Sequence, residues 1–134
     1  MFDAIATNFR AHLPAVDFCS LRIIRENTEV LCNTRGVPQP PSAREDFGAM
    51  VTVVHAGGLG YAATSDLSSS GIRTAIKRAQ DWAHKSSQCA VYNFSAVPMP
   101  HPTGRYQSPV QRPFHAITMG EKLGILHDES EKLA

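Results

Sequence analysis

Residues 47–83 read FGAMVTVVHAGGLGYAATSDLSSSGIRTAIKRAQDWA, and this stretch restricts the fold more tightly than any other. Ala49, Val51 and Val53 alternate with other residues at the period of a strand, so residues 47–54 are expected to be extended. Met50 and Val54 are apolar on the opposite side, which predicts cover on both faces. His55-Ala56-Gly57-Gly58 is a turn signal, because glycine supplies positive φ at little steric cost. Residues 59–64 then form the return strand. Ser68 is placed to cap a helix, its hydroxyl accepting from a free backbone N–H. Ile72, Ala75, Ile76 and Ala79 recur at helical spacing, extended by Trp82 and Ala83, and define the buried stripe. Arg73, Lys77 and Arg78 fall largely off it. A hairpin followed directly by an amphipathic helix makes this an α+β chain.

The flanking segments add weaker elements. Phe2, Ile5, Phe9 and Leu13 share one helical face, and Pro14 stops that helix. Cys19, Leu21 and Ile23 alternate with Ser20 and Arg22 as in a half-buried strand. Asn27 suggests a turn, and residues 28–34 a second strand pairing back on the first. Residues 36–45, GVPQPPSARE, hold three prolines that cannot donate to a ladder, which predicts a loop or a broken edge segment. Beyond Ser87 the chain loosens, and Val97-Pro98-Met99-Pro100-His101-Pro102 favours an extended course. Thr118 with Glu121 matches a capping box. A last helix should follow, with Leu123, Leu126 and Leu133 on one face. The expectation is an antiparallel sheet of about four strands with an N-terminal helix, a long helix packed on one face, and an irregular C-terminal tail ending in a helix. Residues 1–96 would be the α+β domain and residues 97–134 an extended proline-rich linker with the terminal helix.

Charge and cysteine usage exclude several functions. Thirteen Lys+Arg against twelve Asp+Glu leave a net charge of +1, with no charged run, so a nucleic-acid or anionic-membrane surface has no support. No apolar run approaches the ~20 residues that span a bilayer. Cys19, Cys32 and Cys89 are odd in number and widely spaced, which fits neither a disulfide framework nor a Cys-x-x-Cys site. Such thiols suit a reducing cytoplasm, each as a small buried hydrophobe.

The tempting motifs have plainer explanations. Gly57-Gly58-x-Gly60 fails the spacing of phosphate-binding loops, and a strand separates it from the helix. Ser69 and Ser70 lack a nucleophile-elbow context and belong to the helix entry. His127-Asp128-Glu129 reads as a solvated helix face, and His101, between two prolines, as a solvated loop histidine. Trp82 with Arg73, Lys77 and Arg78 could suggest a nucleic-acid patch, but a tryptophan on an apolar stripe belongs to the core. Tyr61 is the candidate contact residue. In a strand beside a glycine turn it could face a groove and touch an extended peptide, while a sheet edge takes up peptide backbone by strand addition. The competing assignment packs Tyr61 on the helix that carries Trp82.

Three pieces together carry a resemblance that covers nearly the whole chain: CSLRIIRENTEVLCNTRG, GGLGYAATSDLS with its helix, and GRYQSPVQRPF with the capped helix bearing Glu121-Lys122. Their order and spacing resemble the N-terminal domain of the TldD/PmbA zinc metallopeptidases, once named modulators of DNA gyrase. Members of that family often carry a more regular strand where this chain has residues 36–45. The resemblance implies a hydrolase of proteolysis whose chemistry lies in a later domain. There a His-Glu-x-x-x-His helix and a distant cysteine hold zinc, which lowers the pKa of bound water while the glutamate takes its proton. No histidine here is followed by glutamate, so no catalytic or metal-binding residue carries over. Zinc is expected in the C-terminal part, not in this chain. The implied partners are that catalytic domain, a homo- or hetero-dimeric neighbour and an extended peptide substrate. The alternative is a stand-alone peptide- or protein-binding module without catalytic activity.

Overall fold

The computed structural model describes residues 1–133 and divides into two compact units. The first comprises Met1–Glu26 and Asp46–His101, and the second Asn27–Glu45 and the chain from Pro102 onward. In chain order the elements are helix α1 (Phe2–Ala11), strands β1 (Phe18–Val30), β2 (Asn33–Thr34), β3 (Val37–Pro38), β4 (Ser42–His55) and β5 (Gly58–Thr64), helix α2 (Ser69–Ser87) and helix α3 (Met119–Lys132). Short 3-10 turns lie at Phe94–Ala96 and Phe114–Ala116. The sheet has three strands in the order β1-β4-β5, and the architecture is α+β as expected.

The core of the first unit lies on one face of this sheet. Ala49, Val51, Val53 and Ala62 from the strands meet Ile72, Ala75, Ile76, Ala79 and Ala83 of α2, and Ile5 and Phe9 of α1 close the cluster. Cys19, Leu21, Ile23, Phe47 and Leu67 pack around it. Ser68 caps α2 as expected, accepting from the Gly71 amide at 3.1 Å. The β4–β5 hairpin turns through Ala56 (φ 49°) and Gly57 (φ 81°), a two-residue loop with both residues left-handed. Gly58 and Gly60 serve another purpose. A Cβ on either would run into the backbone of α2 at Ala79 and Ala83, so these glycines let helix and strand approach to backbone contact.

That closeness displaces Trp82. Its expected place in the core is not observed: the ring is 55% exposed and lies under the Lys85 ammonium, 4.9 Å from the ring centroid. Only alanines fit directly over the glycine strand, and a large ring at the flank of the stripe has to turn outward. Leu13 likewise lies beyond the end of α1 and is exposed.

In the second unit, Lys122 of α3 is buried and pairs with Glu29 at 2.7 Å, with its ammonium 3.7 Å from the centre of the Phe114 ring. Thr118 and Glu121 form the expected capping box. Leu123 and Leu126 are half-buried, but Leu133, the C-cap just past the end of α3, is exposed. The β2–β3 ladder turns through Arg35 and Gly36, both at positive φ.

Two expectations for the strands are corrected. There is no turn at Asn27, because β1 continues to Val30. Residues 36–45 are not simply loop: β3 lies there, and β4 begins at Ser42. Pro38 is tolerated because it faces Asn33 in a pair that exchanges no N–H bonds, while the next bond runs from the Gln39 amide to the Cys32 carbonyl at 2.8 Å.

Candidate functional site

The open edge of β5 is the feature best suited to recognition. β5 closes the sheet on one side, and its register with β4 is unbroken from His55↔Gly58 to Ala49↔Thr64. After a two-residue turn, alternate residues of β5 bond inward to β4, so Leu59, Tyr61 and Ala63 turn their N–H and C=O outward. Ser86 of α2 meets the first of these. Its hydroxyl accepts from the Leu59 amide at 2.9 Å and donates to the Leu59 carbonyl at 2.8 Å, with the Ala83 carbonyl a second acceptor at 3.0 Å. Among the described residues, Tyr61 and Ala63 take no comparable cap.

The Ser86 contact also fixes which flank of α2 overhangs the edge. Trp82 and Arg78 precede Ser86 by one and two helical turns and lie towards that flank, and the Lys85 ammonium reaches over the Trp82 ring. Tyr61 stands on the opposite face of the sheet, opposite Thr52 in the register and 64% exposed. It does not pack on the helix that carries Trp82, because the β5 pleat sends Gly58, Gly60 and Ala62 to that helix instead. A strand laid along Tyr61 and Ala63 would thus have the Tyr61 ring on one side and Trp82 with its two cations on the other.

A second cluster straps residues 92–101 to the hairpin turn. The Asp17 carboxylate accepts from the Ser95 hydroxyl at 2.5 Å and from the Ala56 amide at 3.0 Å. The Ser95 oxygen accepts from the Gly57 amide at 2.8 Å, and the Phe94 amide donates to the Gly57 carbonyl at 3.0 Å. The Ser95 hydroxyl, the Ala56 amide and nearby His55 hold the Asp17 carboxyl below its ordinary value, against a smaller opposing effect of desolvation. Beneath the strap is a cavity of about 100 Å³ bordered by Phe18, Val54, Phe94 and His101. His101 is exposed in an irregular segment, and its ring also meets Phe18 edge-on at 5.5 Å. The strap covers the sheet face at Val54, which is buried, and leaves Tyr61 open.

The remaining candidates gather nothing. His127 lies 3.3 Å from Glu131 on exposed α3, a helix-surface pair. Cys32 and Cys89 are exposed and not the buried hydrophobes expected; only Cys19 is half-buried, and burial pushes its thiol up to about 11. Sequence patterns alone missed Ser86, Arg78 and Lys85 as edge residues, since only the packing of α2 on β5 puts them there.

The fold is a small α+β domain with two helices on one sheet face and β5 at the sheet edge. Residues 19–83 match the family model described as PmbA/TldA metallopeptidase domain 1, so this segment is similar to the first domain of those metallopeptidases. No curated protein matches the chain. The zinc implied by the family does not fit the residues present. Among the described residues no three His, Cys, Asp or Glu side chains gather to hold a metal ion, and the Cys19 thiol stays protonated at neutral pH.

Proposed function

We propose that this chain is the N-terminal, non-catalytic part of a TldD/PmbA-like zinc metallopeptidase acting in peptide processing in the cytoplasm. It shapes the substrate cleft and contributes to contacts between the subunits of a homo- or hetero-dimer. Zinc and its water belong to the family's C-terminal catalytic domain, the main partner of this chain. The substrate is an extended peptide. The observation that carries this reading is Tyr61, exposed at the open edge of β5 inside the family-matched segment.

Strand addition at such an edge uses backbone hydrogen bonds for affinity and neighbouring side chains for preference. Tyr61 then supplies an apolar wall beside the bound strand. In the protein joined to its catalytic domain, Tyr61→Ala lowers peptide turnover and leaves the thermal transition in place. Loss of folding in that variant would remove Tyr61 from the cleft. The chain by itself, supplied with zinc, releases no product above a boiled control.

A stand-alone peptide-binding module would use the same open edge. Reading the gene past the codon for Ala134 separates the two: an open frame reaching a His-Glu-x-x-x-His segment supports the peptidase, and a stop codon the module.

A further inference from the structure

The two edges of the sheet are built differently. β1, at one edge, carries Arg22, Arg25 and Glu26, the kind of charges with which proteins discourage pairing by a stray strand. β5, at the other, reads GLGYAAT: no charge, no proline and no bulge in its register. Unprotected edges of this kind accept a strand. The side chains around it identify which strand.

We infer that the open edge of β5 binds an extended peptide in which acidic and apolar residues alternate; this rests on the peptide-binding role proposed above. A strand added beside Tyr61 and Ala63 points alternate side chains to opposite faces. One set lies under the overhanging flank of α2, where Arg78 and Lys85 stand beside Trp82. The other set lies beside the Tyr61 ring. Carboxylates fit the first set and apolar side chains the second.

Charge also argues against a second copy of the chain as occupant. The exposed face of α2 carries Arg73, Lys77, Arg78 and Lys85 against one acid, Asp81, a net +3. Pairing β5 with its own copy would bring two such helices side by side, like charge against like. A peptide without a helix avoids this conflict and supplies the missing negative charge.

The test is fluorescence anisotropy with the whole chain and three dye-labelled peptides: alternating Glu-Val, alternating Lys-Val, and the Glu-Val composition with its glutamates in one block. The alternating Glu-Val peptide should bind best, and more weakly as salt rises. Arg78→Glu combined with Lys85→Glu, both on the surface, should weaken it roughly tenfold, two exposed charge pairs having been reversed. Ala63→Pro, which removes an outward N–H, should abolish binding of the alternating peptide. If the block peptide or a single-stranded DNA binds equally well and Ala63→Pro changes nothing, the helix is only a polyanion surface and the inference fails. Binding of all three peptides alike, lost in Ala63→Pro, overturns the acidic preference but leaves the peptide role standing. No binding by any peptide, with a dimer in light scattering that Ala63→Pro dissociates, overturns both.

Discussion

Ser86 and Leu59 are joined twice, the hydroxyl accepting from the Leu59 amide at 2.9 Å and donating to its carbonyl at 2.8 Å. One helical side chain thereby does for one edge residue what a neighbouring strand would do for several. The pairing ends where Tyr61 begins, so Ser86 sets the length of edge left open. Ser86→Ala should leave both Leu59 groups without their partner and cost about 1–2 kcal/mol. Urea denaturation measures the loss, and amide exchange at Leu59 should rise with it. An unchanged exchange rate would mean water replaces the serine at no cost.

Gly60→Ala should be far worse. The added methyl would enter the backbone of α2 at Ala79, and neither backbone has room to shift without separating helix from strand. A loss of about 3 kcal/mol or more is expected, as for a core that cannot accommodate extra volume. Gly124→Ala is the contrast: the site is open and helical, and the change should stabilise α3 by about 0.5–1 kcal/mol. Paired thermal melts distinguish the two.

Acid should loosen the strap. The Asp17 carboxyl is lowered in the folded protein, chiefly by the Ser95 hydroxyl. A lowered folded value means its contribution is complete above the unfolded carboxylate pKa, near 3.8, and is lost as pH falls through the folded value. Between neutral pH and about pH 5 the latch therefore holds. Asp17→Asn should flatten the acid limb of the Tm-versus-pH curve relative to the parent protein. If both proteins trace the same limb, Asp17 is not what acid attacks.

The three thiols should label in a fixed order. Cys32 and Cys89 are exposed, while burial pushes the Cys19 thiol up to about 11, and the thiolate is the form that reacts. Iodoacetamide at pH 8 should modify the first two and reach Cys19 only after denaturant is added. Peptide mass spectrometry reads the order directly.

Glu29→Gln should destabilise the second unit by about 3 kcal/mol, because it leaves the Lys122 ammonium buried without its counter-charge. Adding Lys122→Met to that variant should restore much of the loss, since an apolar chain of similar length suits the contact with Phe114. Hydrogen exchange along α3 measures both changes. A single variant as stable as the parent would mean that water reaches the ammonium.

The sequence pattern predicted the hairpin and α2 because period and capping agree there: Val51 and Val53 alternate, Ser68 caps, and the alanine stripe faces one way. It placed a turn at Asn27 because a polar run resembles one, whereas β1 continues through it to Val30. Trp82 was misplaced because spacing locates a stripe but not the room beneath it. The pair Gly58 and Gly60 was the available signal that only small side chains would fit there. Tyr61 could be named from its position beside the turn. Its partners on α2 could not, because nothing in the order of residues tells which flank of a helix will hang over a strand.

The latch between Asp17 and Ser95 joins residues 78 apart in the chain, across a turn whose Ala56 amide lies 39 residues from Asp17. Closing so wide a loop costs entropy that only an assembled sheet and helix can offset. During synthesis Asp17 leaves the ribosome long before Ser95 does. Until that serine arrives, the Gly57 amide waits for its acceptor and the sheet face at Val54 lies bare to chaperones and proteases.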